Sequence, residues 1–186
     1  MQQEKVNMDR INRIDRKLAY KGSILDIYSD TIKTPDGKIC YYDHIHHPGA
    51  AAVIPVLDDG RVLLVKQYRN SLDRFTLEIP AGGIEQTEDS MQAAARELEE
   101  ETGYKSDNIA HFISVVTAVA FCNEIVDIYL ATNLIKTCQH LDPEEYINVE
   151  AFSLDELYDM IFSGIIQDSK TISAVMAYME YKRHTI

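Results

Sequence analysis

Residues 82–104, GGIEQTEDSMQAAARELEEETGY, read as a glycine loop feeding one short, strongly acidic helix. Thr87 or Asp89 supplies the N-cap, and Asp89 has Gln92 at the reciprocal position of a capping box. Met91, Ala94, Ala95, Leu98 and Thr102 recur at helical spacing and are expected to form the buried stripe. Gly103 supplies the stop, because a residue without Cβ enters the left-handed conformation that ends helices. Glu97, Glu100 and Glu101 are spaced three and four apart, so they stand side by side along one flank of that stripe. Ala93 on the same flank is too small to obstruct them, and Glu99 points the other way.

Like charges at this spacing repel and cost helix stability, so a purely structural helix would usually intersperse lysine. One reading of the three carboxylates is a solvated acidic face. The other is a set of hard oxygen donors for Mg²⁺ or Mn²⁺, with waters and a substrate phosphate completing the shell. Arg96 favours the second reading, since a guanidinium orients a neighbouring carboxylate through a forked pair of hydrogen bonds.

Gly82, five residues, Glu88, seven residues and then Arg96-Glu97-Leu98-Glu99-Glu100-Glu101-Thr102-Gly103-Tyr104 resembles the box that marks the Nudix hydrolase family. Every fixed position matches, with Tyr104 where an aliphatic residue is commoner. The resemblance runs from about Ile24 to the C-terminus and is similar to the ADP-ribose pyrophosphatase branch. Gln67-Tyr68-Arg69 and Leu77-Glu78-Ile79-Pro80-Ala81-Gly82-Gly83 look like its lead-in, and Gly164 to Thr171, GIIQDSKT, looks like its ending. One departure stands at Val119-Ala120, where the branch usually carries a proline-glycine pair before the residue that matches Phe121.

The resemblance implies a role for each matching residue. Glu97 and Glu101, with Glu100, would hold Mg²⁺ or Mn²⁺, the Ala81 carbonyl would be a further metal ligand, and Arg96 would orient the carboxylates. Arg69 and Glu78 would contact substrate, and Gly82 and Gly83 would let backbone approach phosphate. Arg96 and Glu100 are thereby counted with the catalytic group. The general base would come from the loop Lys136–Glu145, where Glu145 matches best and Glu144 next. Taken without the resemblance, Arg69 reads equally as a surface ion pair, Glu78 as a dimer contact, and Glu144 and Glu145 as ordinary loop acids.

Outward from the helix, the chain reads as an α/β fold. Strands are expected at Ala51–Val56, Arg61–Tyr68, Thr76–Ile79, Ala110–Val119, Ile125–Ala131 and Ile147–Phe152. Ser153 with Glu156 caps a helix that Gly164 ends, and Asp168 or Ser169 opens a last helix with Ile172, Val175, Met176 and Met179 inward. Mixed strands interleaved with helices fit the layered α/β/α sandwich that the Nudix resemblance implies. Toward the N-terminus, Ser23–Lys33 and Lys38–Ile45 flank the turn Thr34-Pro35-Asp36-Gly37 and read as a hairpin, preceded by a strand or loose arm over residues 1–20. Residues 1–47 are therefore expected as an N-terminal strand and hairpin dimerisation region, and 48–186 as the hydrolase domain. A two-stranded hairpin is marginal alone, which points to a homodimer.

At 186 residues the chain suits one domain with a small appendage. The formal net charge of −12 argues against nucleic acid or an anionic membrane as partner, so a polyanionic substrate must be met by local arginines and metal. There is no apolar run long enough to span a bilayer and no signal peptide at the start. Cys40, Cys122 and Cys138 lack CxxC spacing and read as buried or half-buried thiols in a reducing cytoplasm, in preference to zinc or redox chemistry. His44, His46 and His47 lack further metal ligands nearby and read as surface or subunit-contact residues.

Two readings follow. The first is a divalent-metal-dependent pyrophosphohydrolase of a nucleoside diphosphate-linked small molecule, ADP-ribose cleaved to AMP and ribose 5-phosphate, with GDP-mannose, other nucleotide sugars or a CDP-alcohol as alternatives. The second is a non-catalytic nucleotide sensor on the same fold. The complete set of box carboxylates favours the enzyme.

Overall fold

The computed structural model describes residues 11–22, 25–143 and 145–185. The first ten residues of the strand or arm expected over residues 1–20, the hairpin opening at Ser23 and Ile24, and Glu144 lie outside the described residues. The chain divides into two compact units, one of the residues up to Pro48 with Ala118–Glu124, the other of Gly49–Thr117 and the chain from Ile125 onward.

The first unit is a three-stranded antiparallel sheet, β1 (Asn12–Lys21), β2 (Asp26–Lys33) and β3 (Ile39–His46), in the order β1-β2-β3. The turn at Thr34-Pro35-Asp36-Gly37 forms as read, with Gly37 at φ 85° and its N–H on the Thr34 carbonyl. The hairpin is thus flanked by a third strand. The Arg16 guanidinium of β1 forks onto the Asp30 carboxylate of β2 at 2.6 Å through each nitrogen, fixing that pairing. Residues 118–124 belong here too. The Ile45 N–H reaches the Phe121 carbonyl, and the Asn123 side chain brackets the His47 backbone on both sides. The strand expected through Val119 accordingly ends at Val116, and the chain turns at Ala118–Phe121. His44 is half-buried against the Tyr28 ring, not a plain surface histidine.

The second unit follows in chain order as β4 (Ala50–Pro55), β5 (Val62–Arg69), β6 (Arg74–Glu78), β7 (Ala81–Gly83), α1 (Ser90–Thr102), β8 (Tyr104–Lys105), β9 (Asn108–Val116), β10 (Ile125–Thr132), β11 (Ile135–Lys136), β12 (Asn148–Phe152), α2 (Leu154–Phe162) and α3 (Ser169–Thr185). Its central sheet is mixed. The order is β7-β4-β10-β9, with β4 parallel to β10 and the other pairs antiparallel. A second sheet, β12-β5-β6, and the short pair β11-β8 complete the strands. Because β4 is buried on both faces, it reads as a continuous apolar run and not as an alternation. Its Ala51 and Val53 pack with Ala93, Ala94 and Leu98 of α1. Its Ala52 and Ile54 pack with Leu157 of α2 and Ala174, Val175 and Tyr178 of α3. The sheet therefore lies between two helical layers, an α/β/α sandwich.

Both expected capping boxes form, Asp89 with Gln92 on α1 and Ser153 with Glu156 on α2. The buried face of α1 differs from the expected stripe. Met91 is 47% exposed and Ala95 half-buried, whereas Ala93, Glu97 and Glu101 are buried with Ala94, Leu98 and Thr102. The helix is rotated so that part of its acidic flank faces inward. On α3 the inward face is centred on Thr171, Ala174, Val175 and Tyr178, with Ile172 and Met179 at its margin.

Candidate active site

Two elements meet at the acidic flank of α1, the helix itself and the β7 loop that precedes it. Gly82 touches the Glu97 side chain directly. A Cβ on residue 82 would collide with the Glu97 carboxylate and stand only 2.8 Å from its Oε2. Glu97 cannot retreat, because Arg96 Nη1 donates to its Oε1 at 2.7 Å and to Glu100 Oε2 at 2.9 Å. The rest of that guanidinium forks onto Glu88, Nε at 3.1 Å and Nη2 at 2.7 Å, and Nη2 also reaches the Gly83 carbonyl at 3.0 Å. Arg96 is therefore the hub that joins loop to helix, and its pKa is raised above the ordinary arginine value by Glu88 first and, against the cost of burial, by Glu100 and Glu97. Glu88 is the part of this hub to which no role was attached from sequence.

Glu101 is 3% exposed, and among the described residues its carboxylate takes a single hydrogen bond, from the Ala81 N–H at 3.1 Å. Burial, with the neighbouring Glu97 charge next, pushes its carboxyl up to about 8. Burial likewise raises Glu97. Both groups also feel Glu145, so the loop does bring that residue within electrostatic reach of the buried pair. Glu145 itself is exposed, in a turn where its N–H bonds the Asp142 carbonyl and its Oε2 accepts from the Asp142 N–H.

The loop is tied down by the end of α1. The last carbonyls of a helix have no partner within it. Here the Glu100 carbonyl accepts from the His140 N–H at 3.0 Å, the Glu101 carbonyl from Gln139 Nε2 at 2.6 Å, and the Gly103 carbonyl from the Thr137 N–H at 2.7 Å. Gly103, at φ 69°, is required twice, since a Cβ there would also press on Gln139 N at 3.0 Å. Gln139 is a positioning residue with no sequence signal of its own.

Arg69, at the end of β5, forks onto Glu78 of β6 with both bonds at 2.7 Å. The Glu78 side chain is 4% exposed and its remaining acceptor sites are taken by Thr76 Oγ1 at 2.6 Å and by Lys170 Nζ. Burial alone would raise its carboxyl, but Arg69, Lys170 and Thr76 outweigh that and hold it at about 2. Arg69 keeps 39% of its side chain exposed and interacts electrostatically with Glu101. The site thus gathers Arg69, Ala81, Gly82, Gly83, Arg96, Glu97, Glu100, Glu101 and Glu145 in one unit, with Glu78 behind Arg69.

Among the described residues, no three His, Cys, Asp or Glu side chains stand grouped as a ready ion site. Arg96 draws Glu97 and Glu100 to itself while Glu101 turns to the Ala81 N–H. The donor set nevertheless fits a hard divalent ion. A carboxylate as buried as Glu101 is costly without a cation, and no cationic side chain bonds to it among the described residues.

A NUDIX domain family model matches residues 46–174. An ADP-ribose pyrophosphatase of Bacillus subtilis (strain 168) is 34% identical over 91% of this chain and 92% of its own. The methanol dehydrogenase activator of Bacillus methanolicus is 37% identical over 84% and 85% respectively. A crystal structure of an ADP compounds hydrolase shares the fold, with a TM-score of 0.86 at 18% identity over 95% of this chain and 96% of that one.

Proposed function

Since the chain belongs to the NUDIX family and is a hydrolase of the ADP-ribose pyrophosphatase-like kind, we propose that it cleaves ADP-ribose to AMP and ribose 5-phosphate with Mg²⁺ or Mn²⁺. The observation that carries this reading is the buried carboxylate pair Glu97 and Glu101, of which Glu101 has no cationic side chain bonded to it among the described residues and lies in the field of Arg69. A divalent ion bound there supplies Lewis-acid stabilisation of pyrophosphate oxygens and a more acidic water. Glu97, Glu100, Glu101 and the Ala81 carbonyl would hold it. Arg96 keeps Glu97 and Glu100 oriented, and the side-chain-free Gly82 and Gly83 give backbone access to a phosphate. Arg69 presents the N–H donors not used by Glu78, on Nη1 and Nη2, to the anion. Glu145 removes the proton of the attacking water, whose oxygen bonds to one phosphorus as the bridging P–O bond breaks toward the departing phosphate monoester.

The N-terminal sheet serves as the dimerisation region of a homodimer, a reading supported by its exposed Ile14, Leu18, Ile39 and Tyr41. Cys40 and Cys122 are half-buried as expected, whereas Cys138 is exposed, on the loop that follows β11; all three are free thiols, which supports a cytoplasmic setting. Among the described residues, no helix is long and apolar enough to cross a membrane.

The test is release of AMP and ribose 5-phosphate from ADP-ribose with and without Mg²⁺, beside GDP-mannose and a CDP-alcohol. E145Q is expected to lower kcat by about 100-fold, the lower end of the usual contribution of a general base, with little change in KM, and E144Q to be mild. Cleavage of GDP-mannose or the CDP-alcohol alone overturns the substrate. No cleavage of any compound favours the sensor. The name of the Bacillus methanolicus relative supports a second reading, that the chain raises the activity of a dehydrogenase. It is tested by adding the chain and Mg²⁺ to methanol dehydrogenase.

A further inference from the structure

The Arg69–Glu78 pair has a third member, delivered from the far end of the chain. Lys170, on the first turn of α3, sits 92 residues from Glu78 and only 13% of its side chain is exposed. Its ammonium bonds Glu78 Oε2 and, at 3.0 Å, Asp168 Oδ2. The same Asp168 oxygen caps the helix, accepting from the Thr171 N–H at 3.0 Å and the Thr171 hydroxyl at 2.6 Å. That hydroxyl in turn accepts from the Ile79 N–H at 2.9 Å. The first turn of α3 is thereby tied to the Glu78–Ile79 segment twice, through Lys170 on Glu78 and through the Thr171 hydroxyl on the Ile79 N–H, while Asp168 holds the Lys170 ammonium from the helix start.

The donor inventory of Arg69 gives this arrangement a consequence. A guanidinium has five N–H donors. Glu78 takes one from Nε and one from Nη2, leaving the Nη1 pair and the second Nη2 proton. Whether those donors attract an anion depends on how far the Arg69 charge is already neutralised. Were Arg69 the sole cation on Glu78, the pair would present a nearly neutral face. Lys170 shares that neutralisation from the buried side, its charge divided between Glu78 and Asp168, so the exposed edge of Arg69 retains more of its charge than it would with Lys170 removed and both carboxylates left to it. A lysine suits the post, being a compact charge with no planar edge to satisfy.

We propose that Lys170 is a positioning residue for substrate binding, acting through Glu78 so that Arg69 stays aimed at, and charged toward, the pyrophosphate group. This rests on Arg69 as the anion contact of the proposed function. The experiment measures kcat and KM for ADP-ribose with Mg²⁺, and the affinity for ADP by calorimetry, in K170M, K170R, R69A and the R69A/K170M double variant. K170M is expected to raise KM and weaken ADP binding roughly tenfold, within the coupling found for contacting members of one ion-pair network, with kcat little changed. K170R restores most of the loss. In the R69A background K170M adds nothing, because the group it acts through is gone. An equal K170M effect with and without Arg69, or an effect on kcat or Tm alone, overturns the proposal. If R69A leaves both KM and ADP affinity unchanged, Arg69 is not the anion contact, and the proposal falls with that reading. Should K170M fail to fold, K170Q keeps a donor while removing the charge and carries the same comparison.

Discussion

Glu101 and Gly82 show how much can depend on single atoms. Glu101→Gln keeps the shape of a buried side chain and its bond from the Ala81 N–H while removing the charge. Turnover is expected to fall by about 100-fold or more, since even outer partners of metal ligands contribute about 10–100-fold. Circular dichroism should be unchanged, and Mg²⁺ titration should show weakened activation. Full activity at saturating Mg²⁺ would take Glu101 out of the site. Gly82→Ala tests the cradle. Its methyl must displace a Glu97 carboxylate that Arg96 holds, so the variant is expected to lose about 1–3 kcal/mol of stability as an overpacked site does. Activity should drop along with Tm, and an active G82A with unaltered Tm would show that Glu97 has room to move.

At the scale of elements, α3 is fastened to β6 by charge as well as by apolar contact, and this has a pH signature. The folded-state Glu78 carboxyl lies at about 2, whereas an unfolded glutamate titrates near about 4.3. A depressed folded value means that the contribution is fully present above the unfolded value and is lost as pH falls through the folded one. Urea unfolding of the parent chain is therefore expected to weaken between about pH 4 and pH 2, while E78Q, weaker at neutral pH, has a flatter acid limb. Parallel acid limbs would show that the pair contributes nothing there. The ends of α1 were legible in sequence because Asp89, Gln92 and Gly103 act within a turn or two of themselves. Which flank of α1 is buried was not legible. Glu97 and Glu101 are buried by Gly82 and β7, and that loop's placement depends on partners far along the chain. The fastening of Glu78 by Lys170 was hidden for the same reason, as was the capping of α1 by residues 137–140, because periodicity reports a residue's own element and not what arrives from elsewhere.

For the whole molecule, β1 is ten residues long and nearly all exposed, and the sheet it belongs to leaves Tyr41 73% exposed along with Ile14, Leu18 and Ile39. Surfaces of this kind ask for a cover. Sedimentation velocity at micromolar concentration is expected to show a dimer, and L18E with Y41E to shift it to monomer with the second unit still folded. A fully active parent monomer would dispose of the dimer. The parallel register of β4 against β10 has a different bearing, on the time before any fold exists. Ala50 pairs with Val126 and Pro55 with Ala131, so a strand made early has no partner on that edge until much later. At a synthesis rate of about 5–20 residues per second, Ala50–Pro55 waits roughly 4–15 s after it is made. Throughout that interval its apolar side chains and unpaired backbone N–H and C=O groups are an open template on the nascent chain. Shielding of those six residues during synthesis is then a requirement separate from the stability of the finished protein.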